Sequence, residues 1–284
     1  MFMVKLKVNF SRSDDPLKQI EECLEILGQI DILVQDKKEI EIDFSDVEWI
    51  LPCSALLFAG KVDEMKKENV EVNLISPKKK TVEEYLLGIG FPFGTKKQGD
   101  TYHPINHFGK DSSINKGVNE LLDNMNNKIP EQFGVSVSYL LGELTDNIEQ
   151  HSQFTHASIM AQYFSQKKYI DIGILDNGLT IPGVFENNKI SFSEDSDAIL
   201  KAISGTTTKK EDGTRGFGLH STKQIVRDLC NGELHLISRK GALIFEPNLL
   251  AKKYNFIQNP LKGTLIYIRI KTPSKHLNIY PYLE

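Results

Sequence analysis

Val4, Leu6, Val8 and Phe10 alternate with polar residues, the period-two signature of a half-buried strand. Leu17 to Ile32 then carries apolar residues at helical spacing behind Pro16, a residue favoured in a first helical turn. Glu39 to Phe44 alternates again. Ala55 to Met65 reads as a helix, Val70 to Ile75 as a strand and Thr81 to Leu87 as a short closing helix. This βαβαβα order over residues 1–92 predicts a small sheet with helices packed on it. Residues 93–112 change character: Gly94, Gly99, Pro104 and Gly109 among polar residues read as a linker or an ordered loop. Helical patterns return at Ile114 to Asn126 and Phe133 to Ser152, followed by strands at Ala157 to Phe164 and Tyr169 to Leu175. A glycine-, threonine- and lysine-rich stretch precedes a helix at about Leu219 to Leu229. Strands close the pattern at Glu233 to Ser238, Ala242 to Pro247 and Thr264 to Ile270. The fold class is therefore α/β (α+β), with a second domain over 113–284 built as a mixed sheet with helices on one face.

Composition narrows the function classes. Of the 284 residues, 40% are hydrophobic and 25% charged, which is ordinary for a globular chain. The longest mostly apolar run, Trp49 to Gly60, contains Pro52 and falls short of the ~20 residues a membrane-spanning helix needs. Lys5 and Lys7 interrupt the opening strand pattern, so no signal peptide is read and a cytoplasmic location is expected. Cys23, Cys53 and Cys230 are scattered and form no metal or disulfide spacing. Residues 1–92 carry 12 basic and 18 acidic side chains, the remainder 22 and 20, so neither part offers a nucleic-acid surface.

Candidate chemistry sits in four places. In Tyr139-Leu-Leu-Gly-Glu143-Leu-Thr-Asp-Asn147-Ile-Glu-Gln-His151, Leu140, Leu144 and Ile148 form a core stripe. Glu143, Asn147 and His151 form a polar line beside it. A carboxylate one turn from a carboxamide can set a general base next to an oxygen ligand for magnesium, which needs few protein ligands when phosphates supply the rest. The alternating strand Ile170-Asp-Ile-Gly-Ile-Leu-Asp176 ends in Asp176-Asn-Gly178, where a carboxylate at a buried strand end can accept a hydrogen bond from an amino group. Gly213-Thr-Arg-Gly216-Phe-Gly218-Leu219 precedes a helix, so backbone N–H groups and the helix N-terminus can approach phosphates. It is neither a Walker loop nor a dinucleotide fingerprint. Gly263-Thr264 opens the last strand.

In order and spacing these four pieces resemble the motifs of the GHKL superfamily. That superfamily includes gyrase-type topoisomerases, heat-shock chaperone ATPases, mismatch-repair ATPases, histidine kinases and anti-sigma-factor serine kinases. The resemblance covers about 160 residues. Glu143-x-x-x-Asn147 is similar to the N box, Asp176-x-Gly178 to the first glycine box, Gly216-x-Gly218 to the second, and Gly263-Thr264 to the terminal Gly-Thr. The resemblance implies a Bergerat-type α/β sandwich that binds ATP and Mg²⁺, with an ATP lid at about 183–213. Asn147 would coordinate Mg²⁺, and Glu143 would be the base that activates water or an acceptor hydroxyl. Asp176 would read adenine, Gly178 would give the base room, and Thr264 would support the Asp176–adenine contact. Gly216, Gly218 and Leu219 would meet the phosphates through backbone groups. Lys209, Lys210 and Arg215 sit where lid cations could meet the γ-phosphate. His151 resembles the serine-kinase variants of the N box. Thr180 departs from the family pattern, which has a glycine at that position.

The stretch Ile40 to Ser54 resembles a STAS-type domain, the fold of anti-sigma-factor antagonists. The usual Asp-Ser-Ser-Gly turn is replaced by Pro52, Cys53 and Ser54, and Ser54 reads as a relic acceptor or as a helix cap. That implies an interaction or dimer-contact module over 1–92. Three functions stay open: an ATP-dependent conformational switch with slow ATPase activity, a protein serine kinase acting on a separate partner, and a nucleotide-binding adaptor without turnover. The filled base position, Glu143, favours the first two. A protein partner or a homodimer is expected, with no nucleic acid and no membrane.

Overall fold

The computed structural model describes residues 4–35, 39–94, 99, 101–110, 114–126, 131–205, 218–256, 259–272 and 278–282. In the first part, β1 (Val4–Lys7), α1 (Pro16–Val34), β2 (Glu39–Asp43), α2 (Pro52–Lys67), β3 (Glu71–Ile75) and α3 (Lys80–Gly88) follow the anticipated alternation. The three strands pair in parallel in the order β1-β2-β3. Ile40 and Ile42 point inward, while Lys5 bridges to Glu41 and Asp43 on the outer face.

The second part contains β4 (Tyr102–Gly109), α4 (Ile114–Asn126), α5 (Glu131–Asn147), β5 (His156–Phe164) and β6 (Tyr169–Asp176). It continues through α6 (Ile181–Asn187), α7 (Asp195–Ile203), α8 (Gly218–Gln224), β7 (Glu233–Arg239), β8 (Gly241–Phe245), β9 (Lys252–Asn255) and β10 (Leu261–Lys271). Its seven strands run in the order β4-β5-β6-β10-β7-β8-β9, and every neighbouring pair is antiparallel. The expectation of a mixed sheet is corrected on this point. The region read as a linker, 93–112, contains edge strand β4. Pro104, which cannot donate to a ladder, lies where the β4–β5 register shifts between His103 and Asn106.

Both faces of the large sheet are covered, not one. Along β6, Ile170, Ile172 and Ile174 join a core with α4, α5 and α7, while Leu175 faces the core that holds α2. On β10, Ile266, Ile268 and Ile270 face the first core, and Leu265 and Tyr267 the second. The four layers are thus the small sheet, α1 with α2, the large sheet, and the α4–α5–α7–α8 layer. Helix α2 is buried nearly all round, which is why Leu56, Leu57, Phe58 and Ala59 show no single apolar stripe. A Cβ on Gly60 would lie 2.6 Å from a Leu175 methyl, so the helix backbone approaches β6 closely. The α2–sheet contact also holds a buried ion pair. Asp171 is fully buried and takes Arg269 Nε at 2.8 Å and Arg269 NH2 at 2.9 Å, together with the Tyr267 hydroxyl.

Two expectations for side chains change here. Ser54 does not cap α2: the cap position is Leu51, and Ser54 is fully buried in the first turn with its hydroxyl toward the Gln19 carbonyl. The stretch 183–205, the larger part of the expected ATP lid at about 183–213, forms most of α6 and all of α7. Ala198, Ile199 and Ile203 are buried in the core, and Arg239 grips Asp195 at 2.6 and 2.9 Å and Glu186 at 2.8 and 2.9 Å. The remainder of that stretch, 206–213, lies outside the described residues. Buried helices with satisfied backbone open rarely. The amides of Ile199 and Ile203 are therefore expected to show strong hydrogen-exchange protection without nucleotide. Exchange as fast as in an exposed loop would contradict this packing.

Candidate functional site

Helix α5 carries Glu143 and Asn147 on one half-buried line, as their spacing of four requires. The Asn147 side-chain nitrogen donates to the Glu143 carbonyl at 2.7 Å. Its oxygen has no partner among the described residues, which leaves it able to accept. After Asn147 the helix widens into a π-helical turn, Ile148–Ser152. That turn contains half-buried His151. Tyr139, one turn before Glu143, lies on the same line. The Tyr139 hydroxyl lies beside Glu143 and beside Ser221 of α8, close enough to act on the Glu143 carboxyl. Burial pushes the Glu143 carboxyl above its ordinary range, Asp146 adds to that push, and Tyr139 opposes it.

Asp176 ends β6 on the face that carries Ile170, Ile172 and Ile174, and it is 1% exposed. Burial pushes its carboxyl up to about 7, against the pull of the Gly178 N–H at 2.8 Å and the Ser152 side chain. Asn177 pins the turn behind it: its side-chain oxygen accepts from Thr155 N at 3.0 Å and His156 N at 2.9 Å. Gly178 is needed for space. A Cβ there would lie 2.1 Å from the Ser152 carbonyl oxygen, at the end of the π-helical turn that follows Asn147. Gly263 is needed twice over, by a φ of +95° and because a Cβ would lie 1.8 Å from the Asp176 carbonyl oxygen. Thr264 then pairs directly with Asp176 across the β6–β10 ladder.

Thr180, where the family pattern has glycine, is extended backbone with φ −69° and caps α6, accepting from Gly183 N at 3.0 Å. No left-handed conformation is called for there. Gly218 opens α8, and Leu219 packs against the core beside α5. Lys209, Lys210, Arg215 and Gly216 lie outside the described residues. The structure thus brings together the end of α5, the Asp176–Gly178 turn and Gly263-Thr264, pieces up to about 120 positions apart in the chain, with α8 packed on α5. Two participants carried no motif: Tyr139 and Ser152. Only Tyr139 had a signal, its helical spacing before Glu143.

On the other face of β6 a cleft of about 130 Å³ runs between α1, α2 and the loop at 259–262, reaching Leu175, Asp176 and Asn177. Lys61, buried there, is paired with Asp31 and with Glu64 at 2.8 Å, while Lys262 meets Glu64 at 2.6 Å. Among the described residues no group of three or more His, Cys, Asp or Glu side chains is placed to hold a metal, and no helix is long and apolar enough to cross a membrane. No family model matches the chain, and no curated protein matches it.

Proposed function

We propose that the chain binds Mg-ATP on the face of the large sheet that carries α4, α5, α7 and α8, in a GHKL-type pocket, and uses the nucleotide as a slowly hydrolysed switch for protein association. The observation that carries this reading is the steric convergence at Asp176: a Cβ on Gly263 would strike the Asp176 carbonyl, and a Cβ on Gly178 the Ser152 carbonyl, just beyond the helix that carries Glu143 and Asn147. Such an approach of separated chain segments is what a shared ligand would require of them. In this reading Asp176 accepts the adenine amino group, Thr264 assists it, and Gly178 leaves room for the base. Asn147 offers its side-chain oxygen to Mg²⁺, which when bound neutralises phosphate charge. Gly216, Gly218 and Leu219 present backbone groups to the phosphates at the head of α8, with Lys209 and Arg215 as cationic contacts. Glu143 takes the proton from the attacking water.

The switch follows from the layers. Strand β6 presents Asp176 to the nucleotide side and Leu175 to α2, so a shift of its end is felt by the STAS-like first part. The buried Ser54 disfavours self-phosphorylation there. Two measurements test the reading. Millimolar Mg-ATP is expected to raise the melting temperature by mass action, and Asn147→Ala to lose the magnesium-dependent part. Light scattering of empty, ADP-bound and ATP-analogue-bound protein, alone and with captured partners, is expected to differ by ~5–150-fold in association constant. No thermal shift would refute ATP binding. Equal mass and equal partners in all three states would refute the switch.

A further inference from the structure

We propose that His107, His156 and Ser158 form a binding site for a single zinc-class divalent cation on the α2 side of the large sheet. The inference is independent of the ATP reading, which concerns the opposite face.

The sheet register builds the cluster. His107 on β4 pairs directly with Ser158 on β5, and His156 lies two residues before Ser158, so the three side chains share one face. Further along that face Ile105 and Met160 join the core that holds α2. Three atoms converge there. His107 Nδ1 lies 2.7 Å from Ser158 Oγ and 3.1 Å from His156 Nε2, and His156 Nε2 lies 3.1 Å from Ser158 Oγ. Ser158 is 0% exposed and His156 8%.

Proton accounting leaves the cluster one cation short. The Pro92 carbonyl only accepts, so His107 Nε2, 3.0 Å away, carries that ring's proton and its Nδ1 is bare. His156 Nδ1 stands 3.2 Å from Asp63 Oδ2, an oxygen that also meets Lys67 at 2.7 Å. A proton on His156 Nδ1 suits this carboxylate but leaves His156 Nε2 bare too, and Ser158 has one proton for two bare nitrogens. A proton on Nε2 instead supplies the trio but sets a bare Nδ1 against the carboxylate. Either neutral tautomer therefore holds two acceptors in contact with nothing between them. A second proton on His156 would remove the conflict, but burial opposes it and holds both rings below their ordinary range. A metal ion removes it with both rings neutral, the state in which imidazole ligates.

The surroundings fit such an ion. A metal-bound histidine usually has a carboxylate or a backbone carbonyl at its other ring nitrogen, and here Asp63 and the Pro92 carbonyl stand in those places. With bonds of about 2.05 Å, an ion equidistant from the three atoms sits about 1.1 Å out of their plane. Imidazole nitrogens select zinc and its first-row neighbours over magnesium or calcium. Among the described residues no third His, Cys, Asp or Glu joins the set, so water completes the shell and the ion exchanges more readily than in a closed structural centre. The cleft that reaches Asp63 and His156 supplies an entry path. Asp63 belongs to α2, so the bound ion would fasten that helix to β4 and β5.

The experiment titrates Zn²⁺, without nucleotide, into the full chain stripped of metal by a chelator, and follows binding by calorimetry and by NMR of the histidine ring nitrogens. Wild type is expected to bind one ion per chain and to shift two of its seven histidines, one through Nδ1 and the other through Nε2. His107→Gln and His156→Gln are expected to abolish binding. Asp63→Asn, which leaves all three donors in place, is expected to weaken it ~10–100-fold. Absence of binding in wild type would overturn the inference and leave a shared proton as the cation of the cluster. Zinc bound equally well by both glutamine variants would show an adventitious ion only, and would overturn it too. Should a glutamine variant fail to fold, the wild-type ring pattern still decides, because shifts at any other pair of ring nitrogens refute the site.

Discussion

Replacing Asp176 by asparagine is expected to make the empty protein more stable at pH 8 while abolishing its response to ATP. A carboxyl that is 1% exposed and raised from 3.8 to about 7 is held charged against its surroundings. The cause is burial, only partly offset by Gly178 N and Ser152. The sign follows from linkage. The folded pKa lies above the unfolded one, so the stabilising contribution is complete below pH 3.8 and is lost as pH rises through about 7. At pH 8 the charged group costs up to about 4 kcal/mol, at 1.36 kcal/mol per pKa unit. Asparagine keeps an oxygen for the Gly178 N–H at 2.8 Å and carries no charge. Urea unfolding of both proteins between pH 4 and pH 8 measures the difference. It is expected to grow in favour of Asp176→Asn up to about pH 7 and then level off. A difference that stays flat across that range would show that Asp176 titrates as an ordinary carboxyl. In the same variant the ATP-induced melting shift is expected to vanish, because asparagine turns a donor toward the adenine amino group wherever its nitrogen faces it. A residue that weakens the empty fold and is needed for the ligand is what a binding site would select against stability.

The order of elements was legible where one face of each is apolar. The alternation in β6, Ile170 to Ile174, and in β10, Ile266 to Ile270, places those strands within a few residues. Strand β4 escaped because Tyr-His-Pro-Ile-Asn-His-Phe-Gly mixes a proline with two histidines, and an edge strand with a register shift tolerates both. Helix α6 had a readable start, Thr180 as cap followed by Pro182, which the neighbouring glycine and polar residues masked. Helix α7 opens with Asp195 and Asp197 in its first turn and carries Lys201 in its last, again a usable pattern in a stretch read for composition alone. The two-sided burial of α2 could not be read at all, because it depends on β5 and β6, strands that begin about 90 or more residues after the helix ends. At the candidate site, Asp176, Gly178 and Gly263-Thr264 stand out as short motifs in the sequence. Ser152 reaches them only through the close approach of Gly178 to the turn that follows α5, which the sequence does not announce.

Glu143→Gln is expected to leave Mg-ATP binding intact and to lower phosphate release by ~10²–10⁴-fold, the contribution of a positioned general base. Glutamine has the shape of glutamate and can still meet the Tyr139 hydroxyl, so α5 and its contact to Ser221 of α8 keep their places. What it cannot do is accept a proton from water at the carboxylate oxygen. The environment of Glu143 suits that task. Burial and the nearby Asp146 raise its pKa, which makes the deprotonated form a stronger base, while Tyr139 keeps part of the charge satisfied. A base works only when deprotonated, so hydrolysis by wild type is expected to rise with pH through this raised pKa and to lose that limb in Glu143→Gln. Tyr139→Phe removes the opposing hydroxyl and is expected to move the limb to higher pH without abolishing turnover. Steady-state phosphate release between pH 4 and pH 9, with ATP affinity measured in parallel, separates the possibilities. A Glu143→Gln protein that turns over at the wild-type rate would remove Glu143 from the chemistry. One that binds no ATP would make it a structural support of α5 instead. Loss of turnover with retained binding would leave a trapped ATP-bound form, the state in which an association partner of the switch is expected to be captured.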